Sequence, residues 1–314
     1  MINLILLRDS CLLLLYILTS VLALIGNGLV CRICIQRKNS NNLPLSTPSI
    51  FLLNLALADA LSGLTVLLQL IFCSKYFLEN VLFSSHLCLL NKCLQILSYN
   101  TSTLTICIIA FDRYRIIQDP LQRHYHRRAR LSLFITWIFC GLFALTCFFS
   151  MRVPIYFSSY EKLISCRILF PNLSTNFLRR IRMFCSLIMF YCIPMIILSI
   201  LCTLTMHTIA RRSIIGARQF SQFKKTKIRS IRLLIIIVII FALSHLPVQL
   251  INLHTFFTRP VTSNRCNDTT TYLFFYWLSI SSCCHNPIIY SWFNRQFRTL
   301  VLNCFRSMIS CGRQ

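Results

Sequence analysis

Apolar residues in this chain run in seven long windows, near 11–35, 48–73, 88–114, 131–151, 183–207, 231–257 and 271–293, separated by short polar stretches. A helix rises about 1.5 Å per residue, so about 20 apolar residues cross the roughly 30 Å hydrocarbon layer of a bilayer. Backbone groups in lipid must be satisfied within their own segment, and the two-residue alternation of a membrane barrel is absent, so these windows predict helices. The expected fold is an all-α membrane protein, a seven-transmembrane helix bundle forming one domain over residues 1–314. A short amphipathic helix near 294–306 should follow, with Phe297, Leu300, Val301 and Phe305 recurring at helical spacing against Arg295, Arg298 and Arg306. The first window exceeds the roughly 7 to 15 residues of a signal-peptide core, so it should remain as a spanning helix. No internal repeat or low-complexity tract interrupts the pattern.

Composition excludes an ordinary soluble domain: 56% of the residues are hydrophobic and 12% charged, and the mean hydropathy is +0.68. The net charge of +25 could suggest nucleic acid, but basic loops beside spanning helices are what membrane insertion and anionic inner-leaflet lipids select. No nucleic-acid partner is expected. Basic residues concentrate in one set of loops, including Arg37, Lys38, Arg123, Arg127, Arg128, Lys224, Lys225 and Arg298. That set should be cytoplasmic, which places the N-terminus outside the plasma membrane in a multi-pass protein surrounded by membrane lipids. The glycosylation sequons at Asn172 and Asn267 then fall in outside loops. A third, at Asn100, would be buried in a helix and is read as chance. Many of the eighteen cysteines lie inside apolar windows, where a thiol serves as a small hydrophobe. Cys31-x-x-Cys34 lacks further ligands for zinc.

Polar residues inside spanning helices are costly and point to function or interhelical contact. Here they are Gly26-Asn27 in the first helix and Asn54 through Asp59 in the second. Asp112-Arg113-Tyr114 ends the third, and Trp137 and Pro194 lie in the fourth and fifth. Phe241 and Pro247 lie in the sixth, and Asn286-Pro287-Ile288-Ile289-Tyr290 closes the seventh. In this order, one set per helix, they resemble the rhodopsin-like (class A) G-protein-coupled receptors across nearly the whole chain.

Several expectations follow from the residues and that resemblance. Asp112 beside Arg113 can form a local ion pair whose breaking frees the guanidinium for a partner, and Tyr114, His245, Pro247, Asn286, Pro287 and Tyr290 complete an activation switch. Pro194, Pro247 and Pro287 each remove a backbone donor and mark plausible hinges. The resemblance implies a disulfide between Cys88 and Cys166, with Cys11 and Cys266 a further candidate pair. It also implies a polar core of Asn27, Asp59, Ser102, Ser282 and Asn286, which could hold a sodium ion. No other cofactor or metal is expected. Cys304 or Cys311 is a candidate for palmitoylation, an unmodified tail cysteine being the alternative.

Gln95 stands where amine-binding members carry an aspartate, and the seventh helix has no lysine for a retinal Schiff base. Gln95 and the run Phe111 to Arg115 are similar to receptors for neuropeptide Y and RFamide-type peptides. The expected partners are therefore an extracellular peptide and a heterotrimeric G protein. Gln69, Gln95, Tyr99, Gln249 and His254 are polar and near outer helix ends, so they are the candidate ligand contacts, with packing as the alternative for each. Basic residues outnumber acidic ones on that side, Arg179, Arg180 and Arg182 leading into the fifth helix, which favours acidic peptides.

Three departures from the family pattern stand out. His245 occupies the usual tryptophan position two residues before Pro247, Cys202 a usual tyrosine position, and Val81 a usual tryptophan position. His245 and Cys202 support a non-signalling scavenger or decoy as the alternative reading. Histidine titrates near neutral pH, so a charged His245 close to Asp59 would replace sodium with proton sensitivity; the alternative is a neutral, hydrogen-bonded ring. No hydrolase or transferase constellation is present, and the chain is not expected to be an enzyme.

Overall fold

The computed structural model describes residues 2–41, 46–72, 81–118, 126–150, 173–213, 220–258, 270–293 and 298–299. Among them run seven helical rods. The first four are Ile2–Asn41, Thr47–Phe72, Val81–Gln118 and His126–Ser150. The fifth is α-helical over Leu173–Leu187, π-helical over Ile188–Cys192 and α-helical again over Ile193–Ser213. Phe220–Thr258 and Thr270–Phe293 are the sixth and seventh. Each expected window falls inside one rod, except that residues 73 and 151 lie outside the described set. The rods overrun the windows because hydropathy marks only the lipid-crossing part, while backbone hydrogen bonding carries a helix on into water. The clearest case is the fifth helix, which begins at Leu173, so Arg179, Arg180 and Arg182 lie within it rather than ahead of it. Of the expected amphipathic helix, only Arg298 and Thr299 are described, and both are helical.

Six of the rods contain stretches long and apolar enough to span a membrane by length and composition. The seventh carries Ser279, Ser281, Ser282, His285 and Asn286, which lower its hydropathy; of these Ser279, Ser282 and Asn286 bond its neighbours. The first rod packs on the second and seventh; the third contacts the second, fourth and fifth; the sixth lies between the fifth and seventh. Five rods meet in one apolar cluster of Leu55, Ile106, Leu198, Leu234, Ile237, Phe241 and Ile289.

The surface is arranged opposite to that of a water-soluble bundle. Leu142 and Leu243 are each 63% exposed, while Asn27 and Asp59 are 1% and 2% exposed. Such an apolar exterior is stable only in lipid, which attracts leucine as well as another leucine does. Close approach between helices then depends on small residues. A methyl on Gly26 would lie 2.9 Å from Pro287 Cβ, and one on Gly63 would lie 2.8 Å from Ala23 Cβ. Threonines satisfy their hydroxyls on the preceding turn, Thr105 on Thr101 O at 2.6 Å and Thr136 on Ser132 O at 2.8 Å.

Candidate functional site

The end of the bundle where the third, fifth and seventh helices begin is here termed upper, and the other lower. A polar seam occupies the middle, beginning at a backbone defect. Pro287 has no N–H, so the carbonyl of Cys283, four residues earlier, loses its helical donor. Asn27 of the first helix supplies one: its Nδ2 donates to Cys283 O and to Ala23 O, both at 2.9 Å. The neighbouring Gly26 lets the two backbones close against Pro287. Beside this junction Asp59 accepts from Ser102 Oγ at 2.7 Å and from Asn286 Nδ2 at 2.7 Å, tying the second, third and seventh helices. On the far side of the second helix, Asn54 Nδ2 donates to Thr105 Oγ1, and Asn54 Oδ1 accepts from Trp137 Nε1, each at 2.8 Å.

The other two prolines are compensated differently. The N–H of Ile193 reaches Ile188 O, five residues back, so the π turn ends directly before Pro194. Pro247 leaves Leu243 O without its helical donor, and Tyr191 of the fifth helix donates to the adjacent carbonyl, Ala242 O, at 3.2 Å. His245, 1% exposed, lies two residues below that break. Its Nδ1 meets Ser279 Oγ in a short hydrogen bond, and its Nε2 lies 3.1 Å from Ser282 Oγ. A neutral imidazole satisfies both hydroxyls, accepting from one and donating to the other, so this geometry suits the neutral alternative. The ring also packs on Phe241 and Tyr99, with centroids 4.2 and 4.8 Å apart.

The seam does not offer sodium a ready site. The Asp59 carboxylate and Ser102 hydroxyl are suitable hard oxygens, but Asn286 turns its NH2 toward the carboxylate, and Ser282 is engaged by His245. Among the described residues no group of three or more His, Cys, Asp or Glu is placed to hold a metal.

Above the seam the third, sixth and seventh helices bring a second group of polar side chains together, termed the chamber below. Gln95 Oε1 accepts from Tyr276 Oη at 2.9 Å and Lys92 Nζ at 3.1 Å, and the Lys92 ammonium lies 5.7 Å from the Tyr276 ring centroid. Gln95 Nε2 is buried with no hydrogen-bond partner, whereas the buried Tyr99 hydroxyl lies beside Gln249. His254 is exposed at the upper end of the sixth helix. The structure thus brings Gln95, Tyr99 and Gln249 together and leaves His254 at the rim. The Gln69 side chain lies outside the described residues.

At the lower end, Asp112, Arg113 and Tyr114 are half-buried. Tyr114 Oη accepts from Gln118 Nε2 at 3.3 Å, and the same amide reaches Thr208 Oγ1 at 3.0 Å, linking the third and fifth helices. Tyr290 lies within electrostatic reach of both Arg113 and Asp59. The Cys88 side chain, Cys166, Cys266, the sequons at Asn172 and Asn267, Cys304 and Cys311 lie outside the described residues. Cys11 is exposed with a free thiol.

Sequence reasoning missed three partners. Tyr276 and Ser279 sit one turn apart on one face of the seventh helix and could have been found from their spacing to Cys283 and Asn286. Lys92 lies three residues before Gln95, one turn up on the same face.

A protein-family model described as 7 transmembrane receptor (rhodopsin family) matches residues 26–290. The chain is 30% identical over 297 residues to the tachykinin-like peptides receptor 86C of Drosophila melanogaster, covering 92% of this chain and 56% of that protein. It is 28% identical over 285 residues to galanin receptor type 2 of Mus musculus, covering 87% and 70%. To neuropeptide Y receptor type 2 of Homo sapiens it is 25% identical over 302 residues, covering 91% and 73%. The chain therefore spans little more than half the length of the Drosophila protein.

Proposed function

Because this chain belongs to the rhodopsin family of seven-transmembrane receptors, we propose that it binds an extracellular peptide in the upper chamber and activates a heterotrimeric G protein at its lower end. The observation that carries this reading is a buried, unpartnered donor in the chamber, Gln95 Nε2. A buried donor left without a partner costs about 1 to 3 kcal/mol, which a ligand carbonyl or carboxylate would recover on binding. The relatives' names point to peptides as that ligand class, and Lys92 and Arg180 favour acidic groups within it. The upper end faces outside in this account, since the basic loops belong to the lower one.

Activation then follows the ring stack downward. A ligand group that engages Tyr99 moves a side chain packed on both His245 and Phe241, and those two lie within two turns of the Pro247 break. Weak backbone bonding there lets the lower part of the sixth helix swing outward, a population shift toward a state that exposes Arg113. Pro120-Leu121, outside the described residues, would add an apolar contact for the G protein beside Arg113. His245 acts as a neutral packing group in this scheme, and no cation takes part.

The test is nucleotide exchange on a G protein, driven by a panel of amidated and acidic peptides. Arg113→Ala should keep peptide affinity within about twofold while abolishing exchange, as expected for a residue that contacts only the partner. Undiminished exchange in that variant contradicts the mechanism. A parent protein that binds peptide yet never stimulates exchange would instead be a non-signalling receptor.

A further inference from the structure

Cys93 of the third helix and Cys147 of the fourth take no part in the chamber or the seam. They are 6% and 0% exposed, both thiols are free, and Leu89 and Ile96 pack around them. The two side chains pack in one buried cluster that joins the third and fourth helices. A third helix contributes a cation: Arg182 Nη1 donates to Cys147 Sγ at 3.1 Å, and Arg182 Nε is buried without an acceptor. Two buried cysteines that served only as packing would need no guanidinium, which is costly to bury in an apolar bundle. A cation aimed at one sulfur of such a pair gives the two thiols unequal roles, one attacking and one resolving.

We propose that Cys93 and Cys147 form an oxidisable dithiol, a modification site at which hydrogen peroxide joins the third and fourth helices by a disulfide. Cys147 sulfur attacks one peroxide oxygen as its proton leaves; the O–O bond breaks, and the departing hydroxide takes up that proton as water. The product is a sulfenic acid on Cys147. Cys93 sulfur then attacks Cys147 sulfur, the S–O bond breaks, and the Cys93 proton leaves with the hydroxyl as a second water. Two thiols and one peroxide thus give one disulfide and two waters. Arg182 is a positioning residue that stabilises the negative charge developing on Cys147. Peroxide, small and uncharged, can reach the pair through lipid. Because Lys92 adjoins Cys93 and bonds Gln95 and Tyr276, the bridge would also fix one wall of the chamber.

The experiment treats the full chain in membranes with hydrogen peroxide, alkylates the remaining thiols and maps the tryptic peptides. Cleavage after Lys92 separates Cys88 from Cys93, and fragment spectra distinguish Cys93 from Cys107 and Cys147 from Cys140. The expected product is one Cys93–Cys147 peptide pair, reversible by dithiothreitol. In Cys93→Ser a dimedone adduct should accumulate on Cys147 instead. Arg182→Gln should slow cross-linking about tenfold, while Arg182→Lys, which keeps the charge, should retain most of the rate. Peroxide-treated protein in which both thiols alkylate as completely as before would overturn the proposal. So would a dimedone adduct on Cys93 in Cys147→Ser forming as fast as the one on Cys147 in Cys93→Ser.

Discussion

The seam and the chamber lie one above the other in the same bundle and are built from the same kinds of residue, yet they differ in how far their polar atoms are satisfied. In the seam, Asp59 accepts two short bonds, both Asn54 side-chain atoms are engaged, and Asn27 replaces the donor that Pro287 lacks. In the chamber, Gln95 uses its oxygen fully, accepting from Tyr276 and Lys92, and its nitrogen not at all. Buried polar atoms that are all paired hold helices together, whereas those left unpaired store a cost that binding can relieve. Seam and chamber should therefore respond in opposite ways to the loss of a side chain.

The largest effect is expected at the seam's tightest point. Gly26→Leu places a side chain where even a methyl would meet the Pro287 ring at 2.9 Å, so the two helices must move apart. Overpacking of this kind costs about 1 to 3 kcal/mol or more, so surface expression should fall sharply and the purified protein should melt well below the parent. Next in size is Asn27→Ala, which leaves Cys283 O and Ala23 O without that amide. It should cost about 2 kcal/mol, read as a lower melting midpoint with peptide affinity retained. Unchanged melting in this variant would remove the distinction between the two regions.

Much of the seam was legible in the sequence because its residues are expensive in lipid and so stand out against apolar windows: Asn27, Asp59, Asn286 and Pro287 each announce themselves. Their pairing was less legible. Ser282 belonged with Asp59 by resemblance, but it bonds His245, since a histidine in the tryptophan position brings two ring nitrogens that need hydroxyls. The chamber was harder still. Gln95, Tyr99 and Gln249 could be named, but which of their atoms lack partners depends on rotamers and helix rotation that no spacing encodes. The π turn before Pro194 was also invisible, because proline marks a missing bond without specifying how the helix absorbs it.

A smaller effect concerns charge at the upper end. Lys92 and Arg180 should give acidic peptides tighter binding than basic ones of equal length, by several-fold at low salt. That preference should shrink as the Debye length falls from about 10 Å at 0.1 M to about 3 Å at 1 M. Competition binding at the two salt concentrations reads this directly. Equal affinity for strongly basic peptides would remove the electrostatic part of the account and leave the hydrogen-bonding part intact.

The most direct measurement is to determine melting and saturation binding on the same preparations of Gln95→Leu and the parent. Removing a buried amide whose nitrogen has no partner frees Tyr276 and Lys92 to bond each other, which already lie 3.5 Å apart. Ligand-free stability should therefore change by less than about 1 kcal/mol. Peptide affinity should fall at least about tenfold, the equivalent of about 1.4 kcal/mol. A variant that melts far below the parent yet binds peptide normally would show that Gln95 holds the bundle together, and the chamber would lose its claim to the ligand.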